Sequence, residues 1–129
     1  MKNTFKLDKK VIIVTGASGL LGRQHADAIS SFGGTPILLD LDQKKVDEIA
    51  IKLNEKYNVN ALGFAVDVTD EENIKSNVSL LLRNFENIDG LINNAANNPK
   101  IEDNEKENFS RLENFSLDSW NKDLQVCLT

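Results

Sequence analysis

The stretch VIIVTGASGLLG, residues 11–22, decides the fold of this chain. Four apolar and mostly β-branched residues lead into a threonine, and three glycines then follow at spacings of three. This pattern predicts a buried strand, a tight turn and the start of a helix. Because the strand is apolar on both faces, we expect it to lie in the interior of a parallel sheet.

The three glycines of the turn, Gly16, Gly19 and Gly22, indicate an anion site. They lack a Cβ atom, so the chain can turn sharply and another group can approach its backbone closely. The free amides at the start of the following helix, together with the helix dipole, favour a negative charge. The pattern is typical of a site for the pyrophosphate of a dinucleotide.

Composition narrows the class of protein. A chain of 129 residues that is 40% hydrophobic can bury one core, so we expect a single domain. The formal net charge of −5 argues against a nucleic-acid partner, which needs a basic surface. No apolar run is long enough for a membrane span or a signal peptide, which favours the cytoplasm. One cysteine and one histidine exclude an internal disulfide and argue against a metal site.

The remaining pattern alternates strands and helices. Further strands are predicted at residues 37–39, 61–66 and 88–93. Three helices show apolar positions at helical spacing: Leu21, His25, Ala28, Ile29 and Phe32; Val46, Ile49, Ala50, Leu53 and Tyr57; Ile74, Val78, Leu81, Leu82 and Phe85. Strict alternation predicts an α/β fold with right-handed crossovers: a three-layer, doubly wound parallel sheet of strand order 3-2-1-4.

Helix starts and a loop complete the prediction. Asp42 is expected to cap the second helix, and the capping-box spelling from Thr69 to Glu72 to start the third. Residues 97–115 are polar without a period and are interpreted as a surface loop. Ser116 is expected to cap a last helix whose apolar face would bury Cys127.

Asp40 ends the second predicted strand, 18 residues after Gly22. A carboxylate at this strand end can accept hydrogen bonds from both hydroxyls of an adenosine ribose and would repel a 2′-phosphate. No Lys or Arg occurs between Ala17 and Leu21 or at Leu41 to bind such a phosphate, so NAD is favoured over NADP. The alternative is that Asp40 is a helix-capping acid in the loop.

At three places the sequence resembles the short-chain dehydrogenases/reductases: TGASGLLG, the pair Asp67-Val68, and the segment Asn93-Asn94-Ala95-Ala96. The resemblance implies a Rossmann-like domain that binds a nicotinamide dinucleotide, which Asp40 indicates to be NAD. The residues implied to contact the phosphates are Gly16, Ser18, Gly19, Leu20, Leu21 and Gly22. The ribose would be contacted by Asp40 and Leu41, and the adenine by Asp67 and Val68. The nicotinamide ribose would be contacted by Asn94, Ala95 and Ala96.

The chain departs from that family in ways that bear on activity. Leu20 stands at a glycine position of the usual turn, and Cys127 stands where the family has an asparagine near its catalytic lysine. The family's catalytic serine and Tyr-x-x-x-Lys are absent, since Tyr57 has no lysine four residues on. We therefore expect residues 1–129 to hold no catalytic residue and to form the N-terminal dinucleotide-binding part of a longer enzyme.

That longer enzyme would transfer a hydride between NAD and an alcohol or ketone, with a sugar derivative as one candidate substrate, and the resemblance implies a homo-oligomer. The alternative function is a dinucleotide-binding module without catalysis, which the absent tyrosine and lysine favour.

Overall fold

The computed structural model describes residues 5–97 and 115–127. The chain forms two compact units, residues 1–95 and residues 96–129. The described elements of the first unit alternate: β1 (Val11–Thr15), α1 (Leu20–Ser31), β2 (Thr35–Asp40), α2 (Gln43–Tyr57), β3 (Leu62–Ala65), α3 (Glu71–Asn84) and β4 (Gly90–Ile92). The strands form one parallel sheet of order β3-β2-β1-β4, which confirms the predicted topology.

Both faces of the sheet are covered, because successive side chains of a strand point to opposite faces. On one face, Val14 of β1 packs with apolar residues of α1 and α2: Ala26, Ile29, Val46, Ala50 and Leu53. On the other face, Val11 and Ile13 pack with Leu81 of α3. The first unit therefore has the three layers that the alternation predicted.

The buried face of α1 matches the prediction only at Ile29. Gly22, Ala26 and Ile29 are buried, whereas Leu21 is 62% and Phe32 41% exposed. A Cβ atom on Gly22 would lie 2.7 Å from the Cα atom of Ala17, and closer still to the carbonyl oxygen of Gly16. Because α1 lies directly on the turn, its smallest residues must face the sheet. His25, expected to pack, is half-buried.

The start of α3 corrects the predicted capping box. Asp70 is the N-cap, and its carboxylate accepts hydrogen bonds from the backbone N–H groups of Glu72 and Asn73. The hydroxyl of Thr69 instead donates to Oδ1 of Asp67 at 2.7 Å. The side chain of Thr69 is thus held toward Asp67, and the first-turn amides of α3 bind Asp70 instead.

The inner face of α3 also differs from its prediction. Asn77 and Leu81 are buried, while Ile74 and Leu82 are exposed. Phe85 packs beside Leu81, as expected. Leu82 follows Leu81 directly, so the two side chains point about 100° apart around the helix and cannot both face the sheet.

Asp70→Ala is expected to lower the free energy of unfolding by about 1 kcal/mol, because two first-turn amides lose their acceptor. The matched control is Glu72→Ala, which also removes a first-turn acid but breaks only an exposed ion pair with Lys75. Its cost should be about 0.5 kcal/mol or less. Urea denaturation measures the free energy of unfolding of both variants. A larger loss of this free energy for Glu72→Ala than for Asp70→Ala would favour the predicted capping box.

The fourth strand is shorter at both ends than predicted. β4 contains only Gly90–Ile92, and Ile88 packs against the core before the strand begins. Asp89 sits between them and joins the starts of two strands: its carboxylate accepts from Lys10 Nζ at 2.8 Å and from Val11 N–H at 2.9 Å. These bonds lower the pKa of Asp89, the lysine contributing most.

The described helices include none with the length and apolar character that a membrane crossing requires.

The second unit contains α4 (Leu117–Cys127). Ser116 caps it as predicted, its Oγ accepting from Ser119 N–H at 3.1 Å. The expected burial of Cys127 is wrong: the thiol residue is exposed, and no residue of α4 is buried. Within the described part of this unit, the ring of Phe115 lies edge-on to Trp120, with the ring centroids 6.5 Å apart. Of the predicted loop, residues 98–114 lie outside the described residues.

Candidate functional site

The candidate site lies where the parallel strands of the first unit end. Parallel strands bring their carboxyl ends to the same edge of a sheet, and ligands of such folds bind outside that edge. Register pairs Thr15 of β1 with Leu39 of β2, and Asp40 with Ala65 of β3. The predicted site residues of this unit, from the glycine turn to Ala95, therefore follow the same edge. Ala96 begins the second unit.

The glycine turn is shaped for close approach of another group. Gly16 has a positive φ of 61°, a conformation that L side chains rarely adopt, and a Cβ there would lie 2.9 Å from Ala95 Cα. Gly19 is the N-cap of α1 and provides no side-chain cap. The first-turn amides of Leu20 and Leu21 have no intrahelical acceptor, since helix geometry supplies none there. Uncapped amides at the positive end of a helix fit a diphosphate.

Asp40 is held against that turn. Its half-buried carboxylate accepts from the N–H of Ser18 at 2.9 Å and from the N–H of Leu41 at 2.8 Å, with one oxygen for each amide. It does not cap α2, because Asp42 is the N-cap and accepts from Lys45 N–H. A carboxylate fixed in this way keeps lone pairs for a further donor, such as a sugar hydroxyl.

Thr15 and Asn94 join the ends of the two central strands. The buried hydroxyl of Thr15 donates to Ile92 O at 3.4 Å and accepts from the N–H groups of Asn94 and Ala95, both at 3.0 Å. The side-chain amide of Asn94 donates to the carbonyls of Thr15 and Gly16. Thr15 was predicted only as the end of its strand and as the first residue of the motif TGASGLLG, without this role. Because a buried hydroxyl needs a hydrogen-bond partner, a threonine at the end of a buried strand was the sequence feature that could have indicated this contact.

Asp67 presents an ionised carboxylate beyond the end of β3. The hydroxyl and the N–H of Thr69 both donate to its Oδ1, and these bonds lower its pKa. Its own N–H donates to Oδ1 of Asn73 at 2.8 Å, which ties the segment to α3. The residue is exposed and Val68 beside it is half-buried. This segment therefore offers a fixed acceptor next to an apolar surface, which suits a nitrogenous base.

Arg23 is a further residue at the turn that the sequence did not single out. Its side chain folds back from α1, and Nε donates to the carbonyl of Ser18 at 2.9 Å. The backbone of Ser18 is thus held on both sides, by Arg23 at its carbonyl and by Asp40 at its N–H. An exposed arginine near a helix start usually indicates only a solvated surface, so no signal separated this residue from others.

The one tyrosine takes part in packing rather than in the site. The hydroxyl of Tyr57 donates to Asp27 at 2.8 Å, and Lys56 binds the same carboxylate, which joins α2 to α1. Both bonds lower the pKa of Asp27, that from Lys56 contributing most. Over residues 5–97 and 115–127, no cluster of three or more His, Cys, Asp or Glu side chains could hold a metal ion.

Comparison with known proteins shows extensive similarity. The family model for short chain dehydrogenase matches residues 10–129. An NADP-dependent 3-hydroxy acid dehydrogenase of Schizosaccharomyces pombe is 37% identical over 91 residues, which are 70% of this chain and 35% of that protein. The 3-oxoacyl-[acyl-carrier-protein] reductase FabG of Aquifex aeolicus is 31% identical over 125 residues, covering 96% of this chain and 46% of the relative.

Among solved structures, the chain is similar to an NAD+-bound xylitol dehydrogenase, with a TM-score of 0.81 and 27% identity. The match covers 95% of this chain and 44% of that one. The chain spans less than half the length of each of these three relatives.

Proposed function

Because the chain belongs to the short-chain dehydrogenase/reductase family, we propose that it is the cofactor-binding part of an NAD-dependent oxidoreductase. Residues 1–129 would form the N-terminal part of a longer protein, which agrees with the 35% and 46% of two relatives that it covers. The cofactor would supply the hydride chemistry, and the protein would supply binding and orientation.

The observation that carries this proposal is the position of Asp40 beside the glycine turn, held by the amides of Ser18 and Leu41. A diphosphate would rest on the first-turn amides of α1, and the carboxylate would accept the ribose hydroxyls. An NADP 2′-phosphate would meet the same negative charge, and this supports NAD. The relatives include both an NADP-dependent enzyme and an NAD+-bound one, so Asp40 is what favours NAD here.

The proposed contacts follow the order of the strands along the sheet edge. Along the edge from β3 to β4, the groups contacted would be the adenine, the ribose, the phosphates and the nicotinamide side. The corresponding residues are Asp67 and Val68; Asp40 and Leu41; Gly16, Ser18, Gly19, Leu20, Leu21 and Gly22; Asn94, Ala95 and Ala96. In this arrangement Asn94 would offer its backbone carbonyl and side-chain oxygens as acceptors, since its backbone N–H is bound to Thr15 and its side-chain NH2 group to the turn.

The substrate would be an alcohol or ketone, and we favour a sugar derivative. The similarity to a xylitol dehydrogenase, an enzyme named for a polyol, supports this choice. We further propose that the full-length protein is cytoplasmic, and that it is a homo-oligomer, as its family resemblance implies.

Titration of the protein with NADH and NADPH, followed by nicotinamide fluorescence, tests the proposal. NADH should bind at least about tenfold more tightly, because Asp40 would pair with the ribose hydroxyls of NADH and repel the extra phosphate of NADPH. Tighter binding of NADPH would contradict the choice of cofactor. Absence of binding by either nucleotide would contradict the site itself.

A further inference from the structure

The outer side of β3 carries backbone groups that no described strand pairs, because β3 lies at one end of the sheet. Alternate residues of a parallel strand direct their N–H and C=O groups to opposite sides. The N–H of Val66 donates to the carbonyl of Asp40, toward β2. Gly63 and Ala65 therefore face outward, and exposed edges of this kind pair readily with other chains.

The side-chain amide of Gln43 pairs with these outward groups. Its Nε2 donates to the carbonyl of Gly63 at 3.0 Å, and its Oε1 accepts from the N–H of Ala65 at 2.6 Å. One residue of an additional parallel strand would make the same two bonds. The side chain thus takes the place of a neighbouring strand, in what we term the Gln43–β3 contact.

Two further features keep this side chain in place. A Cβ atom on Gly63 would lie 2.8 Å from the carbonyl carbon of Val46, so the absent side chain lets α2 approach β3 closely. Val46 is fully buried there. One turn along α2, Asp47 accepts a hydrogen bond from the same Nε2 at 2.8 Å. The amide group of Gln43 is therefore fixed at three points.

We propose that Gln43 is a positioning residue for the adenosine end of the cofactor, an inference that rests on the function proposed above. Gln43 begins the helix that follows Asp40 and Leu41, and Ala65 lies just before Asp67 in the chain. The Gln43–β3 contact therefore joins the segment with the proposed ribose residues to the segment with the proposed adenine residues. It fixes the distance between the two segments that an adenine would enter.

Binding of two probes by the Gln43→Ala variant tests this role. ADP-ribose contains the adenosine end, whereas pyrophosphate requires only the glycine turn. The variant should bind ADP-ribose about fivefold more weakly, the effect of one lost hydrogen bond. Its affinity for pyrophosphate should stay within about twofold of the wild type, because that site is separate from Gln43. Both titrations can be followed by amide chemical shifts in NMR spectra of the folded protein.

Two control variants separate the contact from the fold. Asp47→Ala removes the bond within α2 and leaves both bonds between Gln43 and β3, so it should weaken ADP-ribose binding less than Gln43→Ala does. Gln43→Glu keeps an oxygen for the N–H of Ala65, but it turns an acceptor toward the carbonyl of Gly63 and a second carboxylate toward Asp47. Its affinity for ADP-ribose should therefore also be lower than that of the wild type. If Gln43→Ala does not fold, the comparison of Gln43→Glu with Asp47→Ala tests the positioning role. Amide hydrogen exchange at Ala65 should be faster in Gln43→Ala, which removes the acceptor of that N–H group, and this reports the contact directly.

The outcomes are distinct. Unchanged ADP-ribose affinity in the Gln43 variants, or an equal loss of affinity for both probes, would overturn the positioning role. A wild-type protein that binds neither probe would overturn the proposed function, and this inference with it. A wild-type protein that binds both, with only the adenosine probe affected in the variants, is the expected result.

Discussion

Gly22→Ala is expected to lower the free energy of unfolding by about 3 kcal/mol, the upper range for an overpacked core, and to abolish dinucleotide binding. The added Cβ atom would lie 2.7 Å from the Cα atom of Ala17 and would clash with the carbonyl oxygen of Gly16. Both neighbours are backbone atoms, so no side-chain rotation relieves the clash. Either α1 moves away from the sheet or the turn changes shape, and each displaces the first-turn amides.

Urea denaturation and NADH titration measure these two effects, and Gly90→Ala is the matched control. Gly90 also lies in the sheet unit, but the atoms nearest to its added Cβ would belong to the Ile12 side chain, at 3.5 Å, an ordinary contact distance. We expect this control to change stability by about 1 kcal/mol or less and to retain binding. Similar losses for the two variants would show that the close approach of α1 to the turn is not what makes Gly22 necessary.

Asp40→Asn is expected to weaken NADH binding about 10- to 100-fold, the value of hydrogen bonds to a charged group. An amide has one acceptor oxygen where the carboxylate has two, so it cannot hold the amides of Ser18 and Leu41 and also accept from the ribose. Removal of the negative charge also relieves repulsion of a 2′-phosphate. The ratio of NADPH affinity to NADH affinity should therefore rise.

The matched control for this variant is Asp42→Asn, which removes the same charge two residues further on. Asp42 caps α2, and an asparagine at this position preserves the cap. NADH affinity should remain within about twofold of the wild type. If Asp40→Asn keeps the wild-type ratio of the two affinities, Asp40 does not select the cofactor, and a loss of equal size in both variants would indicate a general effect of charge.

The topology was predictable because the informative residues lie in short, regular patterns. An apolar run that ends at Thr15 and Gly16, and another that ends at Asp40, place both strand ends at one edge of a parallel sheet. The structure confirms the order of the strands and brings the carboxylate of Asp40 to 2.9 Å from the N–H of Ser18. Local pattern and global fold agree in this region.

The faces of the helices were less predictable, because a period of 3.6 identifies apolar residues and not the packing partner. Leu21 and Phe32 belong to the apolar stripe of α1 by spacing, yet the turn admits only the small side of the helix, with Gly22 and Ala26. At α3, adjacent Thr69 and Asp70 are both good caps. The choice between them depends on the position of Asp67, which spacing alone does not give.

Long polar side chains that bind a distant backbone are harder still to predict from one sequence. Gln43 and Arg23 lie near helix starts, where polar residues are ordinary surface residues. Their partners, Gly63, Ala65 and Ser18, are backbone groups whose direction is known only once the sheet and the turn are built. The pattern of amino-acid types contains no record of these contacts.

The hydrogen bonds between Thr15 and Asn94 affect the entropy change of ligand binding. They satisfy the last backbone groups of β1 and the first residues after β4 without help from any bound molecule. A binding surface that is already rigid loses little conformational entropy when its ligand binds. Capture of a nucleotide at this edge should accordingly proceed with small structural rearrangement, and most of the ordering cost would fall on the flexible nucleotide.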